Sequence, residues 1–202
     1  MLARALRTGI GLRDKVVVLQ LEAAALVDPV RIEAIAADVA LGRALGLRLI
    51  AVCEPGSGPG ALDAQGPALR LIAALERHGA TGVALPAAGL VTVHPGLPVV
   101  NAMVLVQLCS LGYVPILLLP VADAAGVLVD LAPAALAAAV ARFTDAALLV
   151  LMGDGCAPPG MPSPPVVSTQ AASPGQLLAD ILLYDPATTG DTPRPPALAG
   201  SR

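Results

Sequence analysis

The stretch Leu111–Asp154, LGYVPILLLPVADAAGVLVDLAPAALAAAVARFTDAALLVLMGD, decides the fold class. Val114–Pro120 reads as a buried strand, Asp123–Gly126 as a polar turn, Pro133–Phe143 as an Ala-rich helix, and Ala147–Met152 as a second buried strand. Continuous apolar runs of strand length, separated by one helix, are what a parallel sheet covered on both faces requires. Pro133 suits a first helical turn, where its missing N–H has no intrahelical partner to lose. Asp154 then follows a strand at its carboxyl end, where open α/β sheets place ligands.

The same alternation extends toward the N-terminus. Lys15–Leu21 (KVVVLQL) reads as a strand and Glu22–Ala25 as a tight turn. Asp28–Pro29 is a helix-starting pair, Pro29–Leu45 carries a helical apolar period, and Gly46 is the stop. Arg48–Cys53 is the next buried strand, and a Gly/Pro-rich loop follows it. Pro67–His78 reads as a helix, Gly82–Pro86 and Leu90–Val93 as short strands joined by a turn, and Asn101–Leu111 as a helix. Leu2–Ile10 reads as a short basic helix. After Asp154, prolines are too frequent for continued βα alternation. Only Ser173–Tyr184 reads as a helix, with Ser173 as its cap and Pro174 in its first turn, and the rest is expected to be linker or tail. The expected organisation is an N-terminal arm (1–11), one α/β domain (12–154) and a Pro-rich tail (155–202) with one short helix (173–184).

Composition narrows the function classes. The net charge is −3 and no basic cluster occurs, so nucleic acid is not an expected partner. Hydrophobic residues make up 56% of the chain, and no Asp, Glu, Lys or Arg lies between Arg77 and Asp123, which raises a membrane span as an alternative. Pro98, Asn101, Gln107, Gly112, Pro115 and Pro120 interrupt that segment, and the interfacial aromatics and flanking cations of a span are missing, so a buried core is expected instead. Cys53, Cys109 and Cys156 show no metal-ligand or CxxC spacing and read as free thiols of a cytoplasmic protein.

Three blocks resemble the amino-acid kinase family, closest to the N-acetylglutamate kinases. They are LRDKVVVLQLEAAALVDPVRIEAIAADVALGRALGLRLIAVCEPG (Leu12–Gly56), ALERHGATGVALPAAGLVTV (Ala74–Val93) and Gly112–Asp154, in the family's order. The resemblance implies a three-layer α/β/α sandwich with a mainly parallel sheet, like the N-terminal lobe of those kinases. It also implies ATP and Mg as cofactors if phosphotransfer survives, with the γ-carboxylate of N-acetylglutamate as acceptor.

The chemical motifs depart from the family pattern. Where the family has Lys-x-Gly-Gly, this chain has Gln20-Leu21-Glu22-Ala23. The family lysine stabilises charge on the transferring phosphoryl group, and Gln20 carries no charge to do so. The family glycines let backbone N–H groups approach phosphate, whereas Glu22 presents a carboxylate. The second glycine loop is replaced by Cys53-Glu54-Pro55-Gly56, of which only Gly56 matches. Pro133 stands where the family has the aspartate that orients its lysines, and Asp130 is its displaced neighbour. Asp154 corresponds to the aspartate of the family's Thr-Asp-Val. The family's second lysine and nucleotide-binding lobe find no counterpart in 155–202.

The vestigial pocket positions are therefore Gln20, Glu22, Ala23, Glu54, Gly56, Pro133 and Asp154, with no catalytic residue and no metal ligand assigned. The expected function is a non-catalytic, pseudokinase-like protein, linked by resemblance to arginine biosynthesis, that acts as a homodimer or as a hetero-oligomer with an intact kinase. No cofactor is expected for it, and one alternative is an N-acetylglutamate kinase that uses ATP and Mg. Another is a small-molecule sensor that keeps a modified pocket between Gln20, Glu54 and Asp154. Glu22 and Glu54 are expected at neighbouring strand ends, solvated at the pocket rim rather than gathered round a metal. His78 is expected at a helix C-terminus, His94 in a loop, and Cys53 as an inert thiol.

Overall fold

A computed structural model describes residues 10–56, 61–94, 97–152, 164–169 and 175–184, with the side chains of 61–64 left aside. Six parallel strands form the main sheet in the order β10-β9-β1-β2-β6-β3. They are β1 (Val16–Leu21), β2 (Arg48–Cys53), β3 (Thr81–Pro86), β6 (Tyr113–Leu118), β9 (Leu148–Met152) and β10 (Val166–Thr169). β1, β2 and β9 are apolar along almost their whole length because both of their faces are covered. Helices α1 (Ala23–Val27), α2 (Pro29–Ala44), α3 (Ala61–Arg77) and α6 (Gln176–Leu183) pack on one side, around Leu19, Leu21, Ile35, Leu49, Leu71 and Leu75. Helices α4 (Ala102–Ser110) and α5 (Pro133–Phe143) close the other, around Val18, Ile50, Val52, Leu105, Leu136 and Leu149. The architecture is the expected three-layer α/β/α sandwich.

A small second sheet, in the order β5-β4-β7-β8, is built from β4 (Val91–His94), β5 (Leu97–Val100), β7 (Val121–Asp123) and β8 (Leu128–Val129). β3 and β4 are joined, as expected, by a turn at Ala87–Gly89, a 3₁₀ turn, and they belong to different sheets. β5 pairs antiparallel with β4 and accommodates Pro98 because it is an edge strand. The Asp123–Gly126 turn is as expected and joins β7 to β8, with Asp123 Oδ1 accepting from the amides of Ala125 and Val127.

Several element boundaries move. Asp28 caps α2 as expected, its carboxylate accepting from Val30 N at 2.9 Å and Arg31 N at 3.4 Å. Gly46 ends that helix region with φ +92°, a conformation that suits glycine. The turn expected at Glu22–Ala25 is instead the start of α1, since Ala23, Ala24 and Ala25 favour a helical turn. α3 begins at Ala61, six residues before Pro67, because the loss of one N–H does not outweigh the helix-forming residues around it.

The linker expected between 155 and the last helix contains β10, which extends the main sheet beside β9. Helix α6 runs over Gln176–Leu183, and Ser173 and Pro174 lie outside the described residues. Its first amides are capped from another part of the chain. Asp38, buried in α2, accepts from Gly175 N at 2.7 Å and from Leu178 N at 3.2 Å. Thr169 Oγ1 also donates to Asp180 Oδ2 at 2.5 Å, tying β10 to α6. The expected Leu2–Ile10 helix lies outside the described residues except for its last position, and residues 10–12 are helical. Among the described residues no helix is long and apolar enough to cross a membrane.

Candidate functional site

The carboxyl ends of β1 and β2 bring Gln20, Ala23 and Glu54 together. The two strands run parallel with Gln20 beside Val52 and Leu21 beside Cys53. Glu22 and Glu54 therefore leave the sheet as neighbours, and the Glu54 amide donates to Leu21 O at 3.0 Å. Gln20 is only 3% exposed. It lies on the same strand face as Val16 and Val18, the face that α5 covers.

Glu54 is partly buried at the rim and is also hydrogen-bonded there, which was not expected. Its Oε1 accepts from Gln20 Nε2 at 3.2 Å, and its Oε2 accepts from the Ala23 amide at 3.3 Å. The carboxylate thus bridges the last polar side chain of β1 and the first amide of α1. Glu22, the N-cap of α1, makes no side-chain capping bond, so the first-turn donor is taken by Glu54 across the strand boundary. Gln20 Oε1 is buried and accepts no hydrogen bond among the described residues.

The neighbouring groups are placed as follows. Cys53 is buried beneath the site, and burial, reinforced by the Glu54 charge, pushes its thiol up to about 12. An inert thiol is what such a shift produces at neutral pH. Gly56 follows Pro55 in the loop that leaves β2. Pro133 is the first residue of α5, which starts without a side-chain cap and packs on β1, β2 and β9. α5 follows β8 and precedes β9, so it runs antiparallel to the strands and begins at this same edge. Asp154 and Cys156 lie outside the described residues.

The only lysine in the sequence, Lys15, precedes β1 at the opposite edge. Gln20 lies five residues further along the chain, roughly 17 Å at about 3.3 Å per residue. Among the described residues no three His, Cys, Asp or Glu side chains gather to hold a metal. His78 follows the end of α3 and pairs with Glu33 at 3.0 Å, while His94 is exposed at the end of β4.

A concavity of about 340 Å³ lies on the outer helical layer, lined by Val27, Ile32, Glu33, Arg70 and Arg77 among others. Glu33 engages Arg77 and His78 there. The Gln20–Glu54 contact was not read from the sequence. Its only signal was the neighbouring placement of the two strand ends, which gives proximity and not the bond.

With this geometry in hand, solved structures settle the fold. The chain has the amino-acid-kinase fold. It superposes on an N-acetylglutamate synthase from Neisseria gonorrhoeae, complexed with coenzyme A and N-acetyl-glutamate, with a TM-score of 0.62 at 18% identity. That match covers 79% of this chain and 46% of the synthase, so it takes in less than half of the synthase's length. An aspartate kinase from Synechocystis matches with a TM-score of 0.56 at 14% identity, over 70% of this chain and 28% of that one. An isopentenyl phosphate kinase matches with a TM-score of 0.52 at 13% identity, over 69% and 72%. No protein-family model and no curated protein matches the sequence.

Proposed function

We propose that this chain is a non-catalytic protein of amino-acid-kinase fold that acts by association, as a homodimer or in a hetero-oligomer with an intact kinase of arginine biosynthesis. The observation that carries the reading is the Glu54 carboxylate, which takes the Gln20 amide and the Ala23 N–H at the ends of β1 and β2. Phosphoryl transfer needs donors and cations aimed at developing negative charge. Here the nearest donors already hold an anion that belongs to the chain, and the lysine is at the other edge of the sheet. Loss of one such stabilising group costs about two to three orders of magnitude in rate.

The likeness to an N-acetylglutamate synthase supports the same view, because a fold shared by a synthase and by kinases is not tied to phosphotransfer. The apolar segment Leu97–Leu111 is the proposed association surface, with Leu97, Val99, Met103 and Leu111 exposed on β5, on α4 and just after it.

The test pairs an ADP-release assay, with ATP–Mg and N-acetylglutamate, with the solution mass by light scattering. No turnover from a stable oligomer is expected. Turnover, or a well-folded monomer, contradicts the reading.

A further inference from the structure

The strand-end site has an excess of acceptors, and this has a consequence for binding that is independent of association. Gln20 is 3% exposed, and its Nε2 is spent on Glu54. Its Oε1, on the same amide carbon, is buried without a hydrogen-bond partner among the described residues. Exchanging the two amide atoms gives no relief, since it sets a carbonyl oxygen against a carboxylate oxygen. A buried acceptor left unmade costs about 1–3 kcal/mol, so a donor is called for at this point.

The charge at the site has the same sign. Glu54 and Glu22 directly follow adjacent strands, and Glu54 forms no ion pair among the described residues. The Glu54 charge is felt beneath it, where it adds to the upward push on the Cys53 thiol. The uncapped start of α5 offers this edge only the fractional positive charge of a helix terminus, which fades within a turn.

We infer that the carboxyl edge of β1 and β2 seats a primary ammonium group of a small amine, with Gln20 Oε1 and the Glu54 carboxylate as its acceptors. An ammonium brings one positive charge and three N–H donors in a compact head. It answers both the orphaned amide oxygen and the uncompensated carboxylate. A hard divalent cation fits less well, since it asks for six or more oxygens and the described residues bring no third acid to the site.

The test uses the ¹⁵N-labelled full chain at low ionic strength, titrated with n-propylammonium chloride while the Gln20 side-chain amide and the Ala23 backbone amide are followed by NMR. n-Propanol and tetramethylammonium are titrated in parallel, the first lacking charge and the second lacking N–H donors. Saturable shifts are expected for n-propylammonium alone, with a Kd of about 1–10 mM for so small a ligand. Glu54→Gln is expected to weaken binding at least about tenfold. If that variant does not fold, Gln20→Met takes its place with the same expected loss. Absence of saturation, an equal response to either control, or unchanged affinity in the folded variant overturns the inference.

Discussion

Gln20 Nε2 and Glu54 Oε1 lie 3.2 Å apart, joining two strand ends that are 34 residues apart in sequence. The bond is made by a glutamine that β1 holds in the core and by a carboxylate that the chain carries in just after β2. Because the carboxylate also accepts the Ala23 amide, one side chain fixes the exit of β2 against the start of α1.

Removing the carboxylate leaves two donors without it. Glu54→Ala is expected to lower stability by about 1–3 kcal/mol in urea unfolding. Gln20→Met is expected to cost less, within about 1 kcal/mol, because it removes the unpaired Oε1 together with the Nε2 donor. A glutamine variant more damaging than the glutamate variant would show that the orphaned oxygen has a partner in solution.

Asp38 gives a second prediction, which concerns the C-terminal helix. Its carboxylate caps α6 from 137 residues away in sequence, at Gly175. Asp38→Ala is expected to cost about 1–2 kcal/mol, the usual scale for a lost cap, with the loss concentrated in α6. Hydrogen exchange at Leu178 and Ile181 checks this. Faster exchange there, with β1 and β2 unchanged, is the expected pattern.

Glu33 supplies the pH dependence. The Arg77 hydrogen bond, and then that of His78, hold its carboxyl below the usual value of 4.5. A group depressed on folding contributes stability above its unfolded pKa and loses it as pH falls through the folded one. Glu33→Gln is therefore expected to flatten the stability profile below pH 4.5. Since the pair is exposed, the difference should shrink in high salt. Urea unfolding across this pH range, with and without salt, is the measurement.

Thiol chemistry separates the buried cysteines from solvent. Burial pushes both Cys53 and Cys109 up to about 12, and Cys109 Sγ also donates to Leu49 O at 3.6 Å. Neither is expected to react with a disulfide reagent at pH 8 in the folded chain, and both are expected to react in denaturant. Peptide mapping after brief labelling distinguishes them from Cys156.

How far the sequence carried the reading depends on the length and self-sufficiency of each element. β1, β2 and β9 were legible because runs such as VVVLQL, RLIAVC and LLVLM can satisfy only a strand buried on both faces. α5 was legible from Pro133 and its alanines. β5, β7, β8 and β10 were not, since segments of two to four residues gain their stability from the neighbours they pair with. Pro98 and the prolines around 164 also hid edge strands that tolerate them. The cap of α6 was sought next to it, at Ser173, whereas its acceptor is Asp38 on a different helix. At the site, Gln20, Glu22 and Glu54 were placed at the strand ends from the sequence. The bond between Gln20 and Glu54 needed the parallel register, which places 20 beside 52 and 21 beside 53, so that 22 and 54 are the next residues after the two strands.

Calorimetric titration with ATP–Mg and with N-acetylglutamate, with oligomeric mass determined on the same sample, tests the central reading most directly. Neither ligand is expected to give a saturable heat, and the sample is expected to be a stable oligomer. Saturable binding of both ligands would contradict a non-catalytic role and return the chain to the kinases.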